Sequence, residues 1–155
     1  MKCDNCKEGR MIQKAINEAV EIPGAPTFEV KGVQVLECSN CHDVLIDTAA
    51  AEERTKLILR TLVQYYGPRQ FEVPGKVAQW MRNAIGLSQN ELANEVEGID
   101  PSAFGHAAAR NSPIDHYAAF VLIYLSADFV TGGTDGRKLI EKTKKPNQIL
   151  GKFAS

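Results

Sequence analysis

The chain has 155 residues, a formal charge of −1 and four cysteines, enough length for one domain or two small ones. Its longest purely apolar run, AAFVLIYL at 118–125, is far short of the roughly 20 residues a membrane span requires. No apolar stretch that could act as a secretory leader follows the opening MKCDNCKEGR. The expectation is a soluble, cytoplasmic protein, in a compartment where disulfides are disfavoured and paired cysteines more commonly hold metal.

The first cysteine pair, Cys3 and Cys6, precedes two strand-like stretches, MIQKAINEAVEI (11–22) and TFEVKGVQVLEC (27–38), joined by the turn sequence PGAP at 23–26. In the second stretch Phe28 and Val30 keep a period of two, Gly32 interrupts it, and Val33 and Val35 resume it ahead of Cys38. The two read as a hairpin whose far ends carry the cysteine pairs, with a third short strand, DVLI, after Cys41. A helix is predicted from Thr48, capped by Asp47 or Thr48, with Leu57, Ile58, Leu62 and Val63 near one face and Gly67-Pro68 as its stop. GPRQFEVPG then reads as a linker. From Lys76 onward the pattern is helical, through KVAQWMRNAI, SQNELANEV, PSAFGHAAAR and IDHYAAFVLIYLSADF, the last closed by Gly132-Gly133. Charge is spread unevenly, −2 over residues 1–67, −3 over 68–130 and +4 over 131–155, so the basic surplus sits in a weakly patterned tail.

The four thiols carry the sharpest chemical signal. Cys3/Cys6 and Cys38/Cys41 are two CxxC pairs separated by 31 residues, with no cysteine left over. A tetrahedral zinc ion needs four ligands, and each CxxC supplies two thiolates from one tight turn, so a hairpin that brings the pairs together completes the shell. A redox CxxC would open a helix in a thioredoxin-like pattern, which neither pair does, and two disulfides would need an oxidising compartment. His42 could replace a thiol, but the complete cysteine set favours an exposed turn residue. With every position filled, one structural zinc ion is expected and no open site for catalysis, although a tetrathiolate site accepts iron as well. A segment of about 50 residues is marginal alone, and metal binding, on the order of 10 kcal/mol or more in small zinc peptides, would fold it.

In the helical half, LSQNELANEVEGIDPSAFGH has the shape of a helix-turn-helix. Ser88 and Glu91 form a capping box, and Leu92, Ala93 and Val96 make a buried stripe. Gly98 permits the turn, Asp100 caps the next helix, and Pro101 falls at its first position. Phe104 then points inward, leaving Ser102, His106, Ala109 and Arg110 outward, the placement of a helix offered to the major groove. Gln89, Arg110 and Asn111, with Arg82, are candidates for phosphate contacts.

MKCDNCKEG and ECSNCHD, the hairpin between them, a connecting helix and then GLSQNELANEV resemble the MqsA family of antitoxins, the YgiT-type zinc finger plus Xre-like helix-turn-helix proteins, over residues 1–126. The resemblance implies a zinc domain that binds and neutralises a small, mRNA-cleaving ribonuclease toxin. It also implies a homodimeric C-terminal domain that binds an operator palindrome and represses its own operon. Where the family generally carries Asn and Arg on the recognition helix, this chain has Ser102 and His106, and the aromatic, acid and glycine expected next are Ala107, Ala108 and Arg110. Neither Ser nor His supplies the bidentate fork that makes base readout discriminating, and Gly105 costs its helix roughly 1 kcal/mol.

The organisation expected is α+β: a zinc-bound toxin-interaction domain with its connecting helix at 1–67, a linker at 68–72, a DNA-binding and dimerisation domain at 73–132, and a basic tail at 133–155. The alternative to a DNA-binding antitoxin is a dimeric zinc-containing protein-interaction module whose helix-turn-helix has lost sequence-specific binding. The final helix, apolar nearly all round, is either fully buried or partly covered by a second subunit. An enzyme is the weakest reading, since His42, His106 and His116 are dispersed with no partner spacing.

Overall fold

The computed structural model describes residues 1–96 and 98–132, with backbone alone at Gln70 and Phe71; the expected basic tail at 133–155 lies outside the described residues. Strands β1 (Met11–Val20), β2 (Phe28–Cys38) and β3 (Val44–Leu45) are followed by helices α1 (Thr48–Tyr66), α2 (Gly75–Ala84), α3 (Gln89–Glu95), α4 (Pro101–Arg110) and α5 (His116–Gly132). The fold is thus α+β, an antiparallel sheet and then helices. The chain divides into two compact units: a sheet unit of Met1–Glu21 with Thr27–Ile58, and a helical unit of Ile22–Pro26 with the chain from Leu59 onward. The boundary falls inside α1, between Ile58 and Leu59.

In the sheet unit the order is β1-β2-β3, all antiparallel, with Met11 opposite Cys38 and Val20 opposite Phe28. The register shifts where Lys31 and Gly32 oppose the single residue Asn17, and Gly32 takes a left-handed φ of 77°. This bulge is the physical content of the broken period in β2. An extra residue that the pleat cannot hold is absorbed at a glycine, so Val30 on one side and Val33 and Val35 on the other stay on the buried face with Val20. Ile58 of α1, the last residue of this unit, is buried as well. Asp47 caps that helix by accepting the Ala50 N–H at 2.8 Å, and Arg54 ties it to the sheet with two hydrogen bonds to the Glu18 carboxylate, Nε to Oε2 at 2.7 Å and Nη2 to Oε1. That guanidinium holds the Glu18 carboxyl below its ordinary value.

In the helical unit α5 is central, with Ala118, Ala119, Val121, Leu122, Ile123, Leu125 and Ser126 all buried. Leu59, Leu62, Val77, Met81, Ile85, Leu92 and Val96 are buried in the same unit, where α2, α3 and residues 67–72 pack against α5. Residues Gly67–Glu72, part of the stretch with linker composition, form a 3-10 helix with Pro68 in its first turn. Two extended segments then pair: Pro74 bridges Pro113, Gly75 N–H donates to Ser112 O at 2.8 Å, and Ile114 N–H donates to Val73 O at 3.0 Å. Gly75 is required there, because a β-carbon on it would stand 2.2 Å from the Ala107 carbonyl carbon of α4.

Candidate metal centre

The two CxxC turns have the same local construction. In the first, the Lys7 N–H donates to Cys3 O at 3.0 Å and Lys7 adopts φ 62°; in the second, the His42 N–H donates to Cys38 O at 3.1 Å and His42 adopts φ 57°. Each turn therefore closes on the residue after its second cysteine, in the left-handed region that non-glycine residues seldom visit. Backbone amides point at the sulfurs, from Gly9 to Cys6 Sγ at 3.3 Å and from Asn40 to Cys38 Sγ at 3.4 Å. The strands bring the turns together: Cys3 N–H donates to Gly9 O and Ser39 N–H to Arg10 O, both at 2.9 Å.

All four sulfurs lie within 4.8 Å of one another, with Cys3 to Cys41 at 3.7 Å and Cys6 to Cys38 at 3.6 Å. A tetrahedron with metal–sulfur bonds of about 2.3 Å has edges of about 3.8 Å, so the cluster fits one tetrahedrally held ion. Cys3 and Cys38 are buried, Cys6 half-buried and Cys41 exposed. The thiols are electrostatically unequal. The Gly9 and Glu8 backbone bonds draw Cys6 down to about 6, and the Cys41 and Asn40 backbone bonds draw Cys38 down as well. At Cys41 a backbone bond at Asp43 also lowers the value, but desolvation and the neighbouring sulfurs outweigh it and push the thiol up to about 12. Four sulfurs this close cannot all ionise against one another unless a cation compensates them, which is the chemistry a bound zinc ion supplies.

His42 is not part of the donor set. Its Nδ1 lies 3.1 Å from Glu37 Oε1, and the other oxygen of Glu37 takes Lys14 Nζ at 2.5 Å. Gly9 is a functional position that sequence reasoning missed. A β-carbon there would sit 2.2 Å from Cys38 Sγ and 2.9 Å from Asn40 Cβ, and its one sequence signal is its place three residues after Cys6.

The residues expected to meet DNA are distributed over α3, α4 and its C-cap, with Arg82 on α2. Ser88 and Glu91 form a reciprocal capping box at the start of α3, Asp100 accepts the Ser102 N–H at 2.8 Å, and Gly98 has φ 81°. Phe104 is buried, whereas Ser102, His106, Ala109 and Arg110 are exposed on α4. Gln89, half-buried at the first position of α3, lies over Gly105 with its amide 3.5 Å from where a β-carbon would be. Asn111 is the left-handed C-cap of α4, and its carboxamide lies against Gly24. His106 and Arg110 rim an open hollow of about 430 Å³ floored by Ile99, Phe104, Ala107 and Ile114. Arg82 is turned to the Leu87 carbonyl, closing the α2–α3 turn. No helix among the described residues is long and apolar enough to cross a membrane. No family model and no curated protein matches the chain.

Proposed function

We propose that this chain is an antitoxin-type transcriptional regulator of MqsA-like organisation. Its sheet unit, stapled by one zinc ion on Cys3, Cys6, Cys38 and Cys41, binds and neutralises a small ribonuclease toxin, and its helical unit acts as a homodimer that represses its own operon. The observation that carries the reading is the joining, in one chain, of a closed tetrathiol cluster to a doubly capped helix pair, α3 and α4. A filled donor set has no place for a substrate, so the metal's role is to hold a surface. In the helical unit, Ser102, His106 and Arg110 lie on the exposed side of α4 and are assigned to operator contacts, with Gln89 beside them at the start of α3. Tyr117, Phe120 and Tyr124, half-buried at helical spacing on α5, are assigned to the dimer contact.

A second reading keeps the zinc head and the dimer but not the operator. It is favoured by the charge of −3 over residues 68–130 and by Ser and His at the readout positions, since phosphate neutralisation supplies most non-specific DNA affinity. Titrating the full chain against the DNA upstream of its own gene at several salt concentrations separates the two. A steep salt slope with preference for a palindrome, weakened by Ser102→Ala with His106→Ala, supports the regulator; no retention at low salt removes it. The toxin half is tested by co-expression with the adjacent reading frame. A small protein that co-purifies and whose ribonuclease activity is silenced supports it, and an unrelated, non-binding neighbour overturns it.

A further inference from the structure

Every exposed large apolar side chain among the described residues belongs to the sheet unit: Met1, Ile12, Val44, Leu45 and Ile46, exposed by 73, 56, 49, 44 and 39%. Three of them are consecutive: Val44 and Leu45 make up β3, and Ile46 follows directly. A run of exposed apolar residues costs solubility and persists where something covers it. The register shows how this one is arranged. Val44 stands opposite Glu37, which stands opposite Ile12, and Leu45 stands opposite Leu36, which stands opposite Gln13. Successive strand residues point to opposite faces, so the edge is apolar on both sides.

The edge is also open. β3 ends the sheet, and Cys38 N–H donates to Asp43 O, so in the alternating antiparallel ladder Val44 turns its own N–H and C=O outward. Beside Leu45 is a hollow of about 130 Å³ lined by Gln13, Gln34, Leu36, Asp47 and Ala50. Along the chain the charges that bracket the edge are acidic: Asp43 and Asp47 flank Val44–Ile46, Glu52 and Glu53 follow in α1, and Lys14 on β1 is taken up by Glu37, which stands opposite Val44. Asp47 is held by the Ala50 amide and Glu53 by Lys56, while Asp43 and Glu52 stand exposed. Native sheets blunt a free edge with lysine, proline or a covering element; on β3 the flanking charges are acidic instead, which selects a basic partner.

We propose that the β3 edge, Val44–Leu45–Ile46 between Asp43 and Asp47, is where the sheet unit holds its protein partner, and that the occupant is an extended apolar segment flanked by Lys or Arg, added as a strand. The inference rests on the reading of the sheet unit as a toxin-binding head and names the surface it uses. Strand addition supplies main-chain hydrogen bonds through Val44, and the alternating side chains and acidic rim supply selectivity.

The test uses the full zinc-loaded chain and the protein encoded by the adjacent reading frame. Replacing Val44, Leu45 and Ile46 together by Ser, with metal content intact, should weaken binding at least about 100-fold, as loss of a central apolar cluster does. Asp43→Lys with Glu52→Lys, which touches no core residue, should weaken it about 10-fold and flatten its salt dependence. In the wild-type complex the Val44 amide should become protected from hydrogen exchange. Binding by the wild type that the triple variant matches, or a Val44 amide that exchanges as in the free protein, overturns this inference and leaves the toxin-binding reading standing. No binding by the wild type overturns both. Self-association of the wild type that the triple variant lacks assigns the edge to a second copy and overturns the basic partner.

Discussion

The sheet unit buries five aliphatic side chains, Val20, Val30, Val33, Val35 and Ile58, and leaves Ile12, Val44, Leu45 and Ile46 in solvent. The helical unit closes over Leu59, Leu62, Met81, Ile85, Leu92, Leu122 and Leu125, each at most 1% exposed, and has none of the large exposed apolar residues among those described. Two ways of holding a fold are thus joined in one chain. Apolar burial contributes roughly 25 cal/mol per Å², and a unit with so little of it offsets its ordering entropy only with a cross-link, which the four sulfurs are placed to provide. The helical unit has a core of its own.

The contrast can be broken from either side. The largest effect is expected from Cys38→Ser, which leaves three sulfurs to hold an ion. It should cost the sheet unit most of a metal-binding free energy on the order of 10 kcal/mol. Residue-resolved hydrogen exchange should show protection lost over Met11–Cys38 while α2 to α5 keep theirs; equal loss in both would mean that the units do not stand apart. Gly75→Ala is the converse. Its β-carbon would meet the Ala107 backbone at 2.2 Å, where no rotamer can yield, so the helical unit should lose about 3 kcal/mol in chemical denaturation with zinc content unchanged.

Smaller changes sharpen the picture. Gly9→Ala sets a methyl against Cys38 Sγ and should lower metal affinity about 10- to 100-fold in competition with a chromophoric chelator; an unchanged affinity would contradict the close approach. Ser88→Ala removes the oxygen that accepts the Glu91 N–H at 3.2 Å and should cost about 1 kcal/mol, read in the helical unit alone. Glu18→Gln should cost about 0.5 kcal/mol at neutral pH. Because Arg54 lowers the folded carboxyl below its ordinary 4.5, that stabilisation is complete above this value and is lost as pH falls through the lowered one. Denaturation midpoints of wild type and variant should therefore converge in acid; a constant gap would assign the cost to packing.

Much of this was legible in the sequence because it is local. The paired cysteines, the PGAP turn, Asp47 and Ser88 as caps, and Pro101 at the start of α4 each act within four residues of chain. The interruption at Gly32 was visible as a broken period, although its cause, a bulge that keeps Val30 and Val33 on one face, requires the partner strand. The strand expected over DVLI is ordered as β3 only at Val44–Leu45, because Asp47 is committed to capping α1. What stayed hidden joins residues distant in sequence. Nothing near Gly9 or Gly75 announces Cys38 or Ala107, His42 gave no sign that its ring would turn to Glu37, and exposure of an apolar triplet is knowable only once its neighbours are placed.

The central claim is that one ion on four thiolates holds the sheet unit independently of the helices. Its most direct test is metal analysis of the purified, reduced chain joined to hydrogen exchange before and after chelation. The account predicts one equivalent of metal per chain and, on its removal, rapid exchange through β1 and β2 with α2 to α5 still protected. A metal-free chain with the same protected strands, or loss of protection through both units at once, would contradict it.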